Sequence, residues 1–354
     1  MKLMNSRMNS RLLRTILRFL GLLAVFASVL AAAGAYHVIK RIPIPGNDGW
    51  DYITADTQGR RLYVPHGVEV VVLDLDSGAI VGKISGLNDV HGVAIALEFG
   101  RGFIDATDPG SVTIFDLKTL AVIDKIRVGD DPNGIIYDPH TKRIFTADRG
   151  SKRLSAIDAK TGKVVAQADN LGGRTEHLAA DEAGHVFLNM QDRNTTLKID
   201  EQTLKVLETW PTAPCEQPSS MDMDRVHERI FLGCRGAGMM AVMDATTGKI
   251  VATNPIGTGV DAAEFDPERA LVFFSTGGGD GALSIFHEDG PDKYTLVQTV
   301  KTLPGARTMA LDRKTGNVYS PVANLGPAPA ATPDNPRPRP ARLPGTFSVL
   351  VLGQ

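Results

Sequence analysis

The side chains with the chemistry to bind or catalyse are scattered singly: Trp50, Asp51, His91, Asn133, His177, Asp261 and Arg307. Together they offer an indole face, two imidazoles, an amide, two carboxylates and a guanidinium. That set suits ionic and hydrogen-bonded recognition of a small molecule or of another protein. His66 joins His91 and His177 as candidate metal ligands, because imidazole with a carboxylate such as Asp51 or Asp261 suits Zn, Cu or Fe. No local spacing motif ties the three histidines together, so the competing reading is that each caps a strand end or bonds a neighbouring carbonyl. Glu176-His177 has the residue types of an acid/base pair, but adjacent strand residues point to opposite faces.

Nucleophilic and phosphate chemistry find no support. There is no Gly-x-Ser-x-Gly elbow, and Ser219-Ser220 has no sequence-visible partner. Gly277-Gly278-Gly279-Asp280-Gly281 is followed by no Lys-Ser/Thr pair and reads as a strand connection. With only Trp50 and Trp210, the channel lacks the aromatic stacking a quinone would need. The sequence therefore designates no catalytic residue and no cofactor.

What must position these residues is a repeat. Val242-Met243-Asp244-Ala245-Thr246-Thr247-Gly248-Lys249-Ile250-Val251-Ala252 is a β-branched run, an Asp, a Thr-Gly turn and a second apolar run. Such a pattern reads as a hairpin, with Gly248 supplying positive φ and Asp244 accepting turn amides. Equivalent aspartates stand at 74, 116, 158, 200 and 244, in steps of 42, 42, 42 and 44 residues. A second series, Asp138, Asp181, Asp224, Asp266 and Asp312, precedes apolar pairs such as Ile144-Phe145 and Ile230-Phe231. A period in the low forties with several short strands per unit predicts an all-β, seven-bladed β-propeller.

Trp50, His91, Asn133, His177, Ser219, Asp261 and Arg307 mark the approximate blade starts. The chain ends on Thr346-Phe347-Ser348-Val349-Leu350-Val351-Leu352, a third strand with no fourth behind it. The N-terminal strand His37-Val38-Ile39-Lys40-Arg41-Ile42 is expected to complete that last blade and remove the open edge. Between the second and third strands of blade 7, residues 326–345 carry Pro327, Pro329, Pro333, Pro336, Pro338, Pro340 and Pro344, which cannot pair in a sheet. Strand parity puts the regular Asp-x-Thr-Gly turns on one face. The candidate residues and the irregular loops, the Pro-rich one included, fall on the other, where binding is expected.

Residues 1–35 combine a basic leader, an apolar run from Phe19 to Ala33 and a small-residue exit, the pattern of a signal peptide. An uncleaved membrane anchor is the competing reading, though the run falls short of the ~20 residues a spanning helix needs. The propeller is assigned to residues 36–354, and the location to the periplasm or beyond. Five of the 38 basic residues lie in the leader, so the body carries 33 against 40 acidic residues, a formal charge of −7. That argues against nonspecific nucleic-acid binding. The two cysteines, Cys215 and Cys234, flank a hairpin turn near Asp224-Arg225 at equal distances, which predicts a disulfide in an oxidising compartment. Free thiols or a metal pair are the alternatives, and no Cys-x-x-Cys completes a zinc set.

Arg61-Leu62-Tyr63-Val64 and Ile157-Asp158-Ala159-Lys160-Thr161-Gly162-Lys163-Val164-Val165 make residues 36–354 resemble the YVTN-repeat, YncE-like β-propellers, which have WD40-like blades. The resemblance implies a secreted seven-bladed scaffold and does not specify an activity. The expected function is a noncatalytic binding or interaction module using the loop face around the channel. Two further expectations are a metal-dependent hydrolase or lactonase-like enzyme at the rim histidines, and a single-stranded nucleic-acid binder using Arg149, Arg193, Arg235 and Arg307.

Overall fold

A computed structural model describes residues 34–330, 332, 338 and 340–354. All but the last two residues of the expected leader lie outside this set. Each repeat folds into a four-stranded antiparallel sheet, and seven such sheets form a propeller ring. Blade 3 is representative, with Pro132–Asp138 innermost, then Arg143–Asp148, Arg153–Asp158 and Lys163–Ala168 outermost. His37–Pro43 pairs antiparallel with Ser348–Gly353 in the sheet of blade 7, so the N-terminal strand closes the ring.

The turn chemistry read from the sequence forms the hairpins between third and fourth strands. The Oδ1 atoms of Asp74, Asp116, Asp158, Asp200 and Asp244 accept the backbone N–H three residues on, at 2.6–2.8 Å. Gly78, Gly162 and Gly248 occupy the left-handed region these turns require, with φ of 75°, 72° and 70°. In blades 2 and 4 the same position holds Leu120 and Leu204, at φ 63° and 57°. Their side chains pack into inter-blade clusters, and that burial offsets the cost of positive φ.

The core lies between the blades. Phe145 and Leu154 of blade 3 meet Leu178, Val186 and Leu197 of blade 4, and equivalent clusters repeat around the ring. A polar device repeats with them. Arg101, Arg143 and Arg229 each open the second strand of a blade and donate to a carbonyl in the third-to-fourth-strand turn of the next, at 2.5, 2.9 and 3.0 Å. Cys215 and Cys234 form a disulfide in blade 5. Among the described residues no helix is long and apolar enough to cross a membrane.

Candidate functional site

The innermost strands of five blades carry a register irregularity near their starts. It falls between Val90 and Val93, Pro132 and Ile135, Thr175 and Leu178, Pro218 and Ser220, and Val260 and Ala262. His91, Asn133, Glu176, His177 and Asp261 sit within these stretches. A bulge re-aims side chains that strict alternation would place on fixed sides. Here it turns a set from several blades toward the channel mouth.

The set is tied together there. Asp51 meets His91 Nδ1 at 2.8 Å through one oxygen and accepts from Arg307 at 3.1 Å through the other. The Asn133 amide also reaches His91 Nδ1, at 2.9 Å, and Thr107 Oγ1 stands 2.6 Å from Nε2. Thr107 donates to Asp131, which accepts two hydrogen bonds from Arg149 at 2.6 and 3.0 Å. Arg307 further donates to Asp261 at 2.8 Å and to the Trp50 carbonyl, and Asp261 is also paired with Arg235. The result is an alternating chain of acids and bases across the mouth.

Electrostatics follow from burial and partners. Burial opposes ionisation of Asp51, yet Arg307 and the His91 hydrogen bond hold its pKa below the ordinary value. Burial likewise opposes charge on His91, but the Asp51 hydrogen bond raises its pKa. Glu176 has no such partner. Its nearest cation, Arg174, is 3.8 Å away and its Oε2 is buried without a hydrogen bond, so burial pushes its pKa to about 7. Burial also pushes His177 down to about 4, leaving the imidazole neutral.

Beneath this network lies a cavity of about 600 Å³ along the propeller axis. Tyr52, Gly92, Gly134 and His177 line its upper end, and Ile135, Met221, Ala262 and Met309 line its walls. It reaches Thr57, Gln58, Arg225 and Arg313, which belong to turns between first and second strands. The cavity therefore opens on the regular hairpin face, while the opposite mouth is occupied by the linked side chains. At the open end Asp222 and Glu264 face Arg313, and burial together with Asp222 pushes Glu264 up to about 8.

Of the seven candidate contact residues, His177 lines the cavity, and its Nδ1 is buried without a hydrogen-bond partner. Asp51, His91, Asn133, Asp261 and Arg307 form the closing network. Trp50 stacks on Phe347 at 5.3 Å and lies under the Arg342 guanidinium. His66 stacks on Phe347 at 4.4 Å and pairs with Trp50 in an isolated β-bridge, both of its ring nitrogens buried without a hydrogen-bond partner. Gly326 N–H donates to the Ala341 carbonyl and Leu343 N–H to the Asn324 carbonyl, so the ends of the Pro-rich segment form a stem beside Trp50. Among the described residues, the groups whose ligand atoms could share one metal ion are Asp138-His140-Glu201 and Asp224-His227-Glu288, and neither contains His66, His91 or His177. Both were missed from the sequence because each joins residues of two blades about sixty positions apart.

The fold and axial channel define the class: a seven-bladed β-propeller, an architecture that fits a binding or interaction module. No family model matches the chain, and no curated protein matches it. Solved structures similar to it include one titled as the mitotic checkpoint complex, at 14% identity and TM-score 0.71 over 87% of this chain and 92% of that one. U3-55K is similar at 9% identity and TM-score 0.73, over 90% and 98%. Hydrazine synthase of Kuenenia stuttgartiensis is similar at 15% identity and TM-score 0.66, over 78% and 94%. At these identities the likeness is one of fold.

Proposed function

We propose that the protein is an exported, noncatalytic binding module that holds a small molecule in the axial cavity. The observation that carries this reading is a cavity of about 600 Å³ with mostly apolar walls, within the ~300–1,000 Å³ typical of small-molecule sites. Neutral His177 offers an uncharged hydrogen-bonding group at its closed end, and Asp222, Glu264 and Arg313 supply polar contacts at its entrance. The matching ligand has an apolar body, an uncharged hydroxyl or amide at the leading end and a polar tail. Asp51, His91, Asn133, Asp261 and Arg307 tie together the closed end above the cavity. Export is supported by the leader pattern and by the disulfide.

Pairing of Arg149, Arg235 and Arg307 with carboxylates leaves these cations engaged rather than presented to phosphates, which weighs against the nucleic-acid reading. The test is native mass spectrometry of the full chain purified from its own cells, beside an Ile135→Trp variant whose indole occupies the channel. A co-purifying small molecule seen on the parent and missing from the folded variant supports the proposal. A ligand retained equally by both, or none on either, overturns it.

A further inference from the structure

On the hairpin face, away from the axial cavity, two blades bring three metal-binding side chains together. Asp138 ends the innermost strand of blade 3, His140 lies in the turn that follows, and Glu201 follows the third strand of blade 4, Thr195–Asp200. One ligand atom from each lies within 4.8 Å of the others. Asp138 and Glu201 are 0% and 1% exposed, whereas the His140 side chain is 52% exposed.

The charges in this cluster do not close. His140 Nδ1 contacts Glu201 Oε1, but Glu201 Oε2 is buried with no hydrogen-bond partner. Arg143, which opens the next strand, is spent on the backbone carbonyls of Glu201 and Gln202 at 2.9 and 2.8 Å. Asp138 is satisfied within its own turn by the backbone N–H groups of His140 and Thr141 and by the Thr141 hydroxyl, so the open acceptor is Glu201 Oε2, a buried carboxylate oxygen beside one partly exposed imidazole, which a bound cation would compensate. Nor does the fold require a carboxylate here, because the residue following the marker aspartate is Leu75, Leu117, Ala159 and Ala245 in other blades.

Asp224, His227 and Glu288 repeat the juxtaposition between blades 5 and 6, with a difference. There Glu288 Oε1 accepts from the Tyr294 hydroxyl at 3.1 Å, and His227 Nδ1 lies 2.5 Å from Asp224 Oδ2. That copy satisfies itself with a tyrosine that the first copy lacks.

We propose that Asp138, His140 and Glu201 form a binding site for a divalent transition-metal ion of the zinc class. One imidazole nitrogen and two carboxylate oxygens are borderline ligands that suit zinc, whereas calcium and magnesium take all-oxygen sets. Three protein ligands leave a fourth tetrahedral position for water, and the exposed side of His140 gives the ion its path in. Bound there, the ion bridges blades 3 and 4 at the face onto which the channel opens.

The test is calorimetric titration of tag-free full-length protein with zinc chloride alone, repeated with calcium chloride. The expected result is one saturable equivalent of zinc that is lost in His140→Ala and in Glu201→Gln and kept in His227→Ala. Zinc is also expected to raise the thermal midpoint of the parent and not that of Glu201→Gln, which preserves side-chain shape and keeps the test valid if another variant folds poorly. Equal zinc binding by parent, His140→Ala and Glu201→Gln overturns the site, as does a parent with no saturable equivalent. Tighter binding of calcium than of zinc overturns the metal class.

Discussion

Arg307 and Asp51, 256 residues apart in sequence, meet at 3.1 Å where blade 7 closes against blade 1. Arg307 enters from just before the innermost strand of blade 7 and Asp51 from just before that of blade 1. The contact lies at the ring's closure, and the same guanidinium also neutralises Asp261 of blade 6. One side chain therefore holds three blades at the sealed end of the channel. Replacing it with methionine leaves buried Asp51 with His91 alone and buried Asp261 with Arg235 alone. Losing one partner of a fully buried pair costs ~3–5 kcal/mol, and the guanidinium here remains 32% exposed. Arg307→Met is expected to cost about 2–3 kcal/mol in urea denaturation, with Asp51→Asn recovering part of the loss in the double variant.

Closure by the first strand makes a second prediction. The third strand of blade 7, Ser348–Gly353, is wholly buried and pairs on one side with His37–Pro43. A chain starting after Pro43 exposes that strand as an open edge, which invites pairing with another chain. Size-exclusion chromatography is expected to show oligomers or aggregate for this truncation and a discrete species for the parent.

The disulfide should stabilise through the unfolded chain. Cys215 and Cys234 close a loop of 19 residues in sequence separation. Loops of that size restrict the unfolded ensemble by ~3 kcal/mol. Cys215→Ser with Cys234→Ser is expected to lower the thermal midpoint, and reductant should then have no further effect on the double variant.

Glu264 makes stability depend on pH with a definite sign. Its folded pKa is raised from 4.5 to about 8, so between those values the folded state keeps a proton that the unfolded state has released. Stability contributed by this group is present below 4.5 and falls as pH rises toward 8. Glu264→Gln is expected to flatten that alkaline loss, gaining ~1–2 kcal/mol at the upper end of the window and little at the lower end. Chemical denaturation across the window reads the difference.

His177 gives the opposite slope. Its pKa is lowered from 6.5 to about 4 by burial, so the unfolded chain takes up a proton first as pH falls through that interval. Stability is full above 6.5 and declines toward 4, and His177→Gln is expected to remove this acid limb while leaving the alkaline one in place.

The repeat was legible because turn chemistry is local. An Asp that accepts the amide three residues on, and a Gly or Leu at positive φ, are properties of a few consecutive residues, so Asp74, Asp116, Asp158, Asp200 and Asp244 announce their hairpins in the sequence. Their fixed period then determines the blade count, and a last blade short of one strand determines how the ring closes. The disulfide forms as expected, but not as a register pair of the hairpin: Cys234 opposes Pro218, and Cys215 lies three residues before that strand.

The site depends on distances between blades, which no local pattern encodes. Candidate rim residues could be named from their places at blade starts, yet the network joining them depends on bulges that re-aim His91, Asn133 and Asp261 and on the segments that bring Asp51 and Arg307 in ahead of the innermost strands of blades 1 and 7. That arrangement closes one mouth and leaves the cavity open at the other, above Arg225 and Arg313. Asp138, His140 and Glu201 are likewise brought together only by the packing of blade 3 on blade 4. Sequence determined the blades through hydrogen bonds a few residues long, and the tertiary structure alone decided which end of the channel is open, because that depends on how far each side chain reaches across the axis.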